Sequence, residues 1–241
     1  MAGSFKTEAV VLRSIRYGEA DRILHLYSRD RGRVNAITKG ARRPKSRFGG
    51  RLEPFFRLRL VLYKGRGDLM TVTAADTVAA HANLRSDGAA LMEASRGCDA
   101  VLRLLDSGEA NVPAYNLLCR YLAFLDEGVE EGRMRHHALS FRLKLALAAG
   151  FAPELASCAR CGVSGEELTV AGFSGSAGGV VCDGCQAGAF DLGPEAHGFL
   201  VGALGAPLAA APDGSEIALR QAERAINETL EHHAHVRLKA A

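Results

Sequence analysis

The spacing of apolar residues changes once along this 241-residue chain, and that change limits what each part can fold into. In the first 80 residues apolar positions alternate with polar ones. The clearest case is residues 54–63, where Phe56, Leu58, Leu60 and Leu62 fall on one face and Arg57 and Arg59 on the other. Period two with one polar face predicts half-buried antiparallel strands. Similar segments at 8–16, 21–29, 33–38 and 69–74 are separated by turn chemistry such as Tyr17-Gly18 and Gly65-Arg66-Gly67-Asp68. Five short strands in about 75 residues fit a small closed barrel of the OB type, since closure removes exposed strand edges. An SH3-like barrel fits the spacing nearly as well.

Beyond residue 84 the period becomes helical. Leu91, Ala94, Val101, Leu102 and Leu105 mark a helix over 87–106, and Pro113 opens a second carrying Tyr115, Leu118, Leu122 and Leu125. A third covers 133–149 and is closed by Gly150 and Pro153. Pro194 opens a fourth to residue 203. The last runs from an N-cap at Ser215 to about residue 238, with Leu219, Ala222, Ile226 and Leu230 on one stripe. The class is α+β: a barrel over 1–80, then an all-α domain over 84–241 into which a small module, 155–190, is inserted. Apolar content of 48% suffices for packed cores. No apolar run approaches the ~20 residues of a membrane helix or forms a signal-peptide core, so the chain reads as unsecreted and cytoplasmic.

The inserted module is marked by Cys158-Ala-Arg-Cys161 and Cys182-Asp-Gly-Cys185, twenty residues apart. Each Cys-x-x-Cys turn aims two thiolates at one point, and two such turns supply a closed tetrahedral site. Two disulfides or a redox dithiol are the competing readings. A reducing compartment disfavours the first, and the missing βαβ context disfavours the second. The expectation is one zinc ion, structural because four protein ligands leave no position for water. It would contribute roughly 10 kcal/mol or more to a module too small for its own core. Residues 168–171 and 179–181 look like a hairpin joining the halves. Cys98 and Cys119 lie in apolar helical stripes and read as core.

Charge is distributed unevenly. The net charge is +3, yet residues 1–83 carry 17 Lys/Arg against 7 Asp/Glu, and the remainder 13 against 20. The front of the chain can therefore attract a polyanion. Within it, residues 39–51 hold Lys39, Arg42, Arg43, Lys45, Arg47 and Arg51 and no acidic residue. Such a segment can neutralise phosphates and release counterions without reading sequence. Arg57 and Arg59 on the adjacent strand extend the candidate surface, Phe48 is a candidate base-stacking ring, and the glycines and Pro44 read as flexible joints. The histidines are expected to be bland: His25 on the barrel exterior, His136 and His137 on a helix surface, His232, His233 and His235 near a helix end.

Catalytic signatures are missing. There is no Gly-Lys dipeptide and hence no Walker A loop, no His-Glu pair for a metalloprotease helix, and no Gly-x-Ser-x-Gly elbow. The N-terminal aspartates are scattered rather than clustered for two-metal chemistry. The chain is not expected to be an enzyme.

Four stretches stand out: Glu8-Ala-Val-Val-Leu-Arg, Tyr17-Gly-Glu-Ala-Asp-Arg, Thr38-Lys-Gly-Ala-Arg-Arg-Pro-Lys-Ser-Arg-Phe with Leu52-Glu-Pro-Phe, and Phe141-Arg-Leu-Lys-Leu-Ala-Leu-Ala-Ala-Gly-Phe-Ala-Pro with the cysteine pairs. Together they resemble the RecO family of bacterial recombination mediators. The resemblance covers about residues 5–186 and places the chain in the zinc-bearing group. It implies an OB fold, a helical domain and a zinc module. It also implies a non-enzymatic role: binding single- and double-stranded DNA, annealing complementary strands, and acting with RecR so that RecA can displace single-stranded-DNA-binding protein, SSB. The acidic SSB tail is expected on the helical domain, with Arg142 and Lys144 as candidates. The competing readings are a protein–protein adaptor that never touches DNA and an RNA-processing enzyme on a zinc-stabilised fold.

Overall fold

In the computed structural model, which describes residues 3–239, the chain forms two compact units that part at Gly128. The first is built on five strands: β1 (Gly3–Tyr17), β2 (Asp21–Ser28), β3 (Gly32–Thr38), β4 (Arg57–Lys64) and β5 (Met70–Ala79). They close into a barrel in the order β1-β2-β3-β5-β4. The length of β1 makes closure possible. Its first half pairs with β4 and its second half with β2, and the register slips between Val11 and Arg13. That bulge bends one strand around the barrel corner. Val11 is held there by Phe55 N–H donating to its carbonyl at 2.8 Å and by its own N–H donating to the Phe56 carbonyl at 2.9 Å. Phe55 carries φ +74°, so β4 starts at Arg57 and not at Pro54. Leu58, Leu60 and Leu62 are fully buried, as their alternation predicts.

Two helices belong to the same unit, α1 (Gly88–Leu104) and α2 (Val112–Glu127). Asp87 caps α1 by accepting from Ala89 and Ala90 N–H, and Asn111 caps α2 by accepting from Ala114 N–H. Tyr115 of α2 donates its hydroxyl to Glu8 Oε1 at 2.8 Å, tying helix to barrel.

The second unit holds α3 (Met134–Ala148), a three-stranded sheet in the order β7-β6-β8, α4 (Pro194–Gly205) and α5 (Glu216–Thr229). The strands are β6 (Val170–Ser174), β7 (Gly179–Cys182) and β8 (Phe190–Asp191). Gly150, at φ +85°, closes α3 with Phe151 N–H donating to the Ala146 carbonyl. Ser215 caps α5 as its sequence suggests. That helix is shorter than its apolar stripe, however. It passes into a π turn at Leu230–Ala234 and ends at His235 in the left-handed region. His137 is buried, not on the surface, because Leu208 O receives its Nδ1 at 2.9 Å.

The connection from β3 to β4 decides how the first unit presents its charge. It is a ladder of tight turns, with N–H donated from Arg43 to Gly40, Ser46 to Arg43, Gly49 to Ser46 and Arg51 to Phe48 carbonyls. Gly40 N–H donates to Asp21 Oδ1 at 2.8 Å and Arg42 N–H to the Ala20 carbonyl at 2.8 Å. Ala41, Phe48 and Leu52 join the barrel's own core. Phe48 is only 2% exposed, so it is a plug and not a stacking platform, and the glycines serve an ordered turn ladder instead of loose joints. Replacing Phe48 by Ala is expected to cost about 3 kcal/mol in urea denaturation, whereas an exposed ring would cost well under 1.

Candidate nucleic-acid interface and metal centre

With the plug side chains turned inward, the charged residues of the same ladder turn outward. Lys39, Arg42, Arg43, Lys45, Arg47 and Arg51 are all exposed. Among the described residues none of the six is ion-paired with a carboxylate, the nearby Glu53 being taken by Arg22 at 2.8 Å. Arg42 donates to the Gly18 carbonyl and Arg51 to the Ala75 carbonyl. These bonds orient the guanidinium groups while leaving their charge uncompensated. Arg47 lies over the Phe48 ring, 4.9 Å from its centroid. Six cations on a hydrogen-bonded scaffold, with no carboxylate opposed, make a surface that can accept several phosphates at once.

Arg57 and Arg59 differ from these six. Register places Glu8 of β1 opposite Arg59 and one step from Arg57, and Arg57 is ion-paired with Glu8. Arg59 lies opposite Asp76 on its other side. The Arg57 charge is spent within the sheet, whereas Arg59 is exposed with an acidic residue opposite it on each neighbouring strand. Burial pushes the Glu8 carboxyl up, but hydrogen bonds from Tyr115 and Arg57 and the two arginine charges outweigh it and hold its pKa below the ordinary carboxylate value. A carboxylate held low stabilises the fold above the ordinary value, and that stability is lost as pH falls through the lowered one. Wild-type stability is therefore expected to fall as pH drops below about 4.5, and Glu8→Gln to flatten that part of the pH–stability curve.

Of the two candidates for an acidic partner segment, Arg142 is 4% exposed and ion-paired with Glu223 inside the second unit. An outside carboxylate cannot reach it. α3 is buried over most of its surface, so the basic position facing α5 serves the core. Lys144 is half-buried and donates to the Leu204 carbonyl at 3.0 Å. Burial holds its pKa below the ordinary lysine value.

The four cysteines of the module converge as their spacing predicts. The Sγ atoms of Cys158, Cys161, Cys182 and Cys185 all lie within 4.8 Å of one another, and Cys161 and Cys182 Sγ are 3.7 Å apart. Thiolates at 2.3 Å from a tetrahedral ion would stand about 3.8 Å apart. The first turn is set by Gly162 N–H donating to the Cys158 carbonyl, with Gly162 at φ +78°, and is fixed to β7 by Ala159 N–H donating to the Val180 carbonyl. Arg160 spans both halves, donating to the Cys185 carbonyl at 2.7 Å and to Ser174 Oγ at 3.3 Å. The backbone N–H groups of Cys161 and Cys182 pull the Cys158 thiol down to about 6, while the crowd of neighbouring thiols pushes Cys185 up to about 12. The Cys158 thiolate forms easily while Cys182 and Cys185 resist, which is the situation a bound cation relieves. The four residues can hold a metal ion. Cys98 is buried in α1 and Cys119 half-buried in α2, both within the first unit.

Residues 1–81 match the family described as Recombination protein O N terminal, and residues 85–241 match Recombination protein O C terminal. The chain belongs to the RecO family. Curated RecO relatives, each described as DNA repair protein RecO, align along most of their length. The protein of Rubrobacter xylanophilus is 43% identical, covering 92% of this chain and 90% of its own. That of Syntrophotalea carbinolica is 37% identical over 84% and 78%, and that of Anaeromyxobacter sp. strain K 36% over 98% and 93%. Among the described residues of this RecO-family chain, no helix is long and apolar enough to cross a membrane.

Sequence reasoning missed the Glu8 clamp on Arg57, since strand register is non-local. It found the cysteines because their geometry is written in local spacing. Purified protein is expected to carry one metal ion per chain. Cys161→Ser should lose it and lower the melting temperature by at least about 5 °C. A metal-free wild type whose melting curve ignores a strong chelator would contradict the site.

Proposed function

We propose that this RecO-family chain is a DNA-repair and recombination mediator with no catalytic chemistry of its own. In this reading it binds single- and double-stranded DNA, anneals complementary strands and acts with RecR so that RecA can displace SSB in the cytoplasm. The observation that carries the DNA-binding part is the unopposed outward charge of Lys39, Arg42, Arg43, Lys45, Arg47 and Arg51 on an ordered turn ladder. The barrel's strand order supports an OB fold, a frame that often presents nucleic acid to its strands and connecting segments. Binding of this kind is to phosphate and carries no sequence information. Arg59 lies at the margin of the surface, and Arg57 is left to Glu8.

The metal in this reading is a single structural zinc, held by Cys158, Cys161, Cys182 and Cys185. Four thiolates suit zinc and leave no open position for a reacting water. Its role would be to hold β6 and β7 to the preceding knuckle. RecR, RecA and the SSB tail enter as partners through family membership, with Lys144 the member of the basic pair on α3 that solvent reaches.

The test is fluorescence anisotropy with a labelled single-stranded oligonucleotide over a range of salt. Binding should weaken steeply with salt. Arg42→Glu/Arg43→Glu/Lys45→Glu should flatten the log–log slope by about 2, since each phosphate neutralised on a single strand adds roughly 0.7 to it. Wild-type protein that ignores the oligonucleotide at low salt would favour the adaptor reading instead.

A further inference from the structure

A second cationic feature lies on the first unit, away from the turn ladder and unmarked by any local sequence pattern. It is a cavity of about 370 Å³ floored by three strands of the barrel and walled by the last turn of α1. Arg13, His25 and Asn35 form one row across β1, β2 and β3, because Arg13 is the register partner of His25 and His25 of Asn35. Arg33 of β3 and Arg103 of α1 line the same cavity. Two of these guanidinium groups share one carboxylate, Asp99, which meets Arg103 at 2.7 Å and Arg13 at 3.7 Å. Arg33 donates Nη1 to the Leu102 carbonyl, yet its buried Nε meets no hydrogen-bond partner among the described residues. Leaving a buried charged donor unmatched is costly unless a ligand completes it.

The row also has a direction. On the same outward face the next register level is Ile15, Ile23 and Ile37, and the one beyond it begins with Tyr17 opposite Asp21. Ile15 is 41% and Tyr17 54% exposed. Tyr17 adjoins Gly18, whose carbonyl receives Arg42 of the turn ladder. From Arg13 to Tyr17 is four strand residues, about 13 Å. An arginine pocket, an apolar strip with a free aromatic ring, and a basic ladder therefore follow one another along a single sheet face. That is the composition of a track for an unpaired strand, with phosphates held at the charged ends and bases laid over the apolar middle.

We propose that the Arg13–Arg33–Arg103 pocket is a phosphodiester-binding subsite, which anchors a single strand at the far end of a track leading to the basic ladder. The inference rests on the proposed DNA binding and deepens it. Asp99 acts within the pocket as a positioning residue, holding Arg13 and Arg103 in place and competing with the phosphate for both.

The experiment uses the full chain and a fluorescein-labelled oligothymidylate, titrated at several salt concentrations. Arg13→Gln/Arg103→Gln should weaken binding roughly tenfold at low salt and reduce the salt slope by about 1.4, the share of two neutralised phosphates. Asp99→Asn should shift binding the other way, because both arginines are then free for phosphate. Opposite shifts in the two variants support the subsite. If the triple ladder variant loses affinity while both pocket variants match wild type, the subsite is overturned, the ladder reading stands, and the pocket falls to a carboxylate-bearing partner. If wild type itself does not bind, both readings fall. Should the double variant not fold, Asp99→Asn decides alone: tighter binding supports the subsite, and unchanged or weaker binding overturns it.

Discussion

The burial of Phe48 and Leu52 against the barrel core is the interaction on which the charged surface depends. A segment with six cations and no acid would by itself stay expanded, since like charges repel and few apolar groups compensate. Here two apolar side chains and Ala41 reach into the barrel core, and backbone turns between them satisfy the chain's own N–H groups. The cations are then held outward at fixed spacing. Little of the ordering cost remains to be met when a polyanion arrives, which favours affinity by pre-organisation.

The same logic explains which arginines are available. Electrostatic surfaces are set by what stands opposite each charge as much as by how many charges there are. On β4 the antiparallel register puts Glu8 and Asp76 beside Arg57 and Arg59, and Glu8 takes up the Arg57 charge. On the ladder nothing comparable is present among the described residues. In the second unit Arg135 and Arg142 share Glu223, an ion-pair network that ties α3 to α5 and engages both guanidinium groups.

How much of this is legible in the sequence depends on how local each cause is. Alternation in residues 54–63 gives β4 and its buried leucines, because a strand's two faces are fixed by its own residues. The cysteine cluster follows from two short turns, and the caps at Asp87, Asn111 and Ser215 act on amides within three residues. Phe48 reads as exposed because its sequence neighbours are basic, and only barrel closure supplies the apolar hole it fills. His137 and Arg142 read as surface for a related reason: α3 buries most of its circumference, which its own pattern does not announce. Arg13, Arg33 and Arg103 meet through register and helix packing, so no window of sequence contains them together. β1 and β5 also extend beyond their apolar cores, since backbone pairing, not side-chain pattern, carries their ends.

Whether phosphates sit on the ladder is read by lysine footprinting with a small acylating reagent, followed by mass spectrometry with and without single-stranded DNA. Lys39 and Lys45 should be shielded by DNA, and Lys144 in the second unit should react equally in both samples. Unchanged labelling of Lys39 and Lys45 under conditions where the oligonucleotide is bound would place the phosphates elsewhere on the protein.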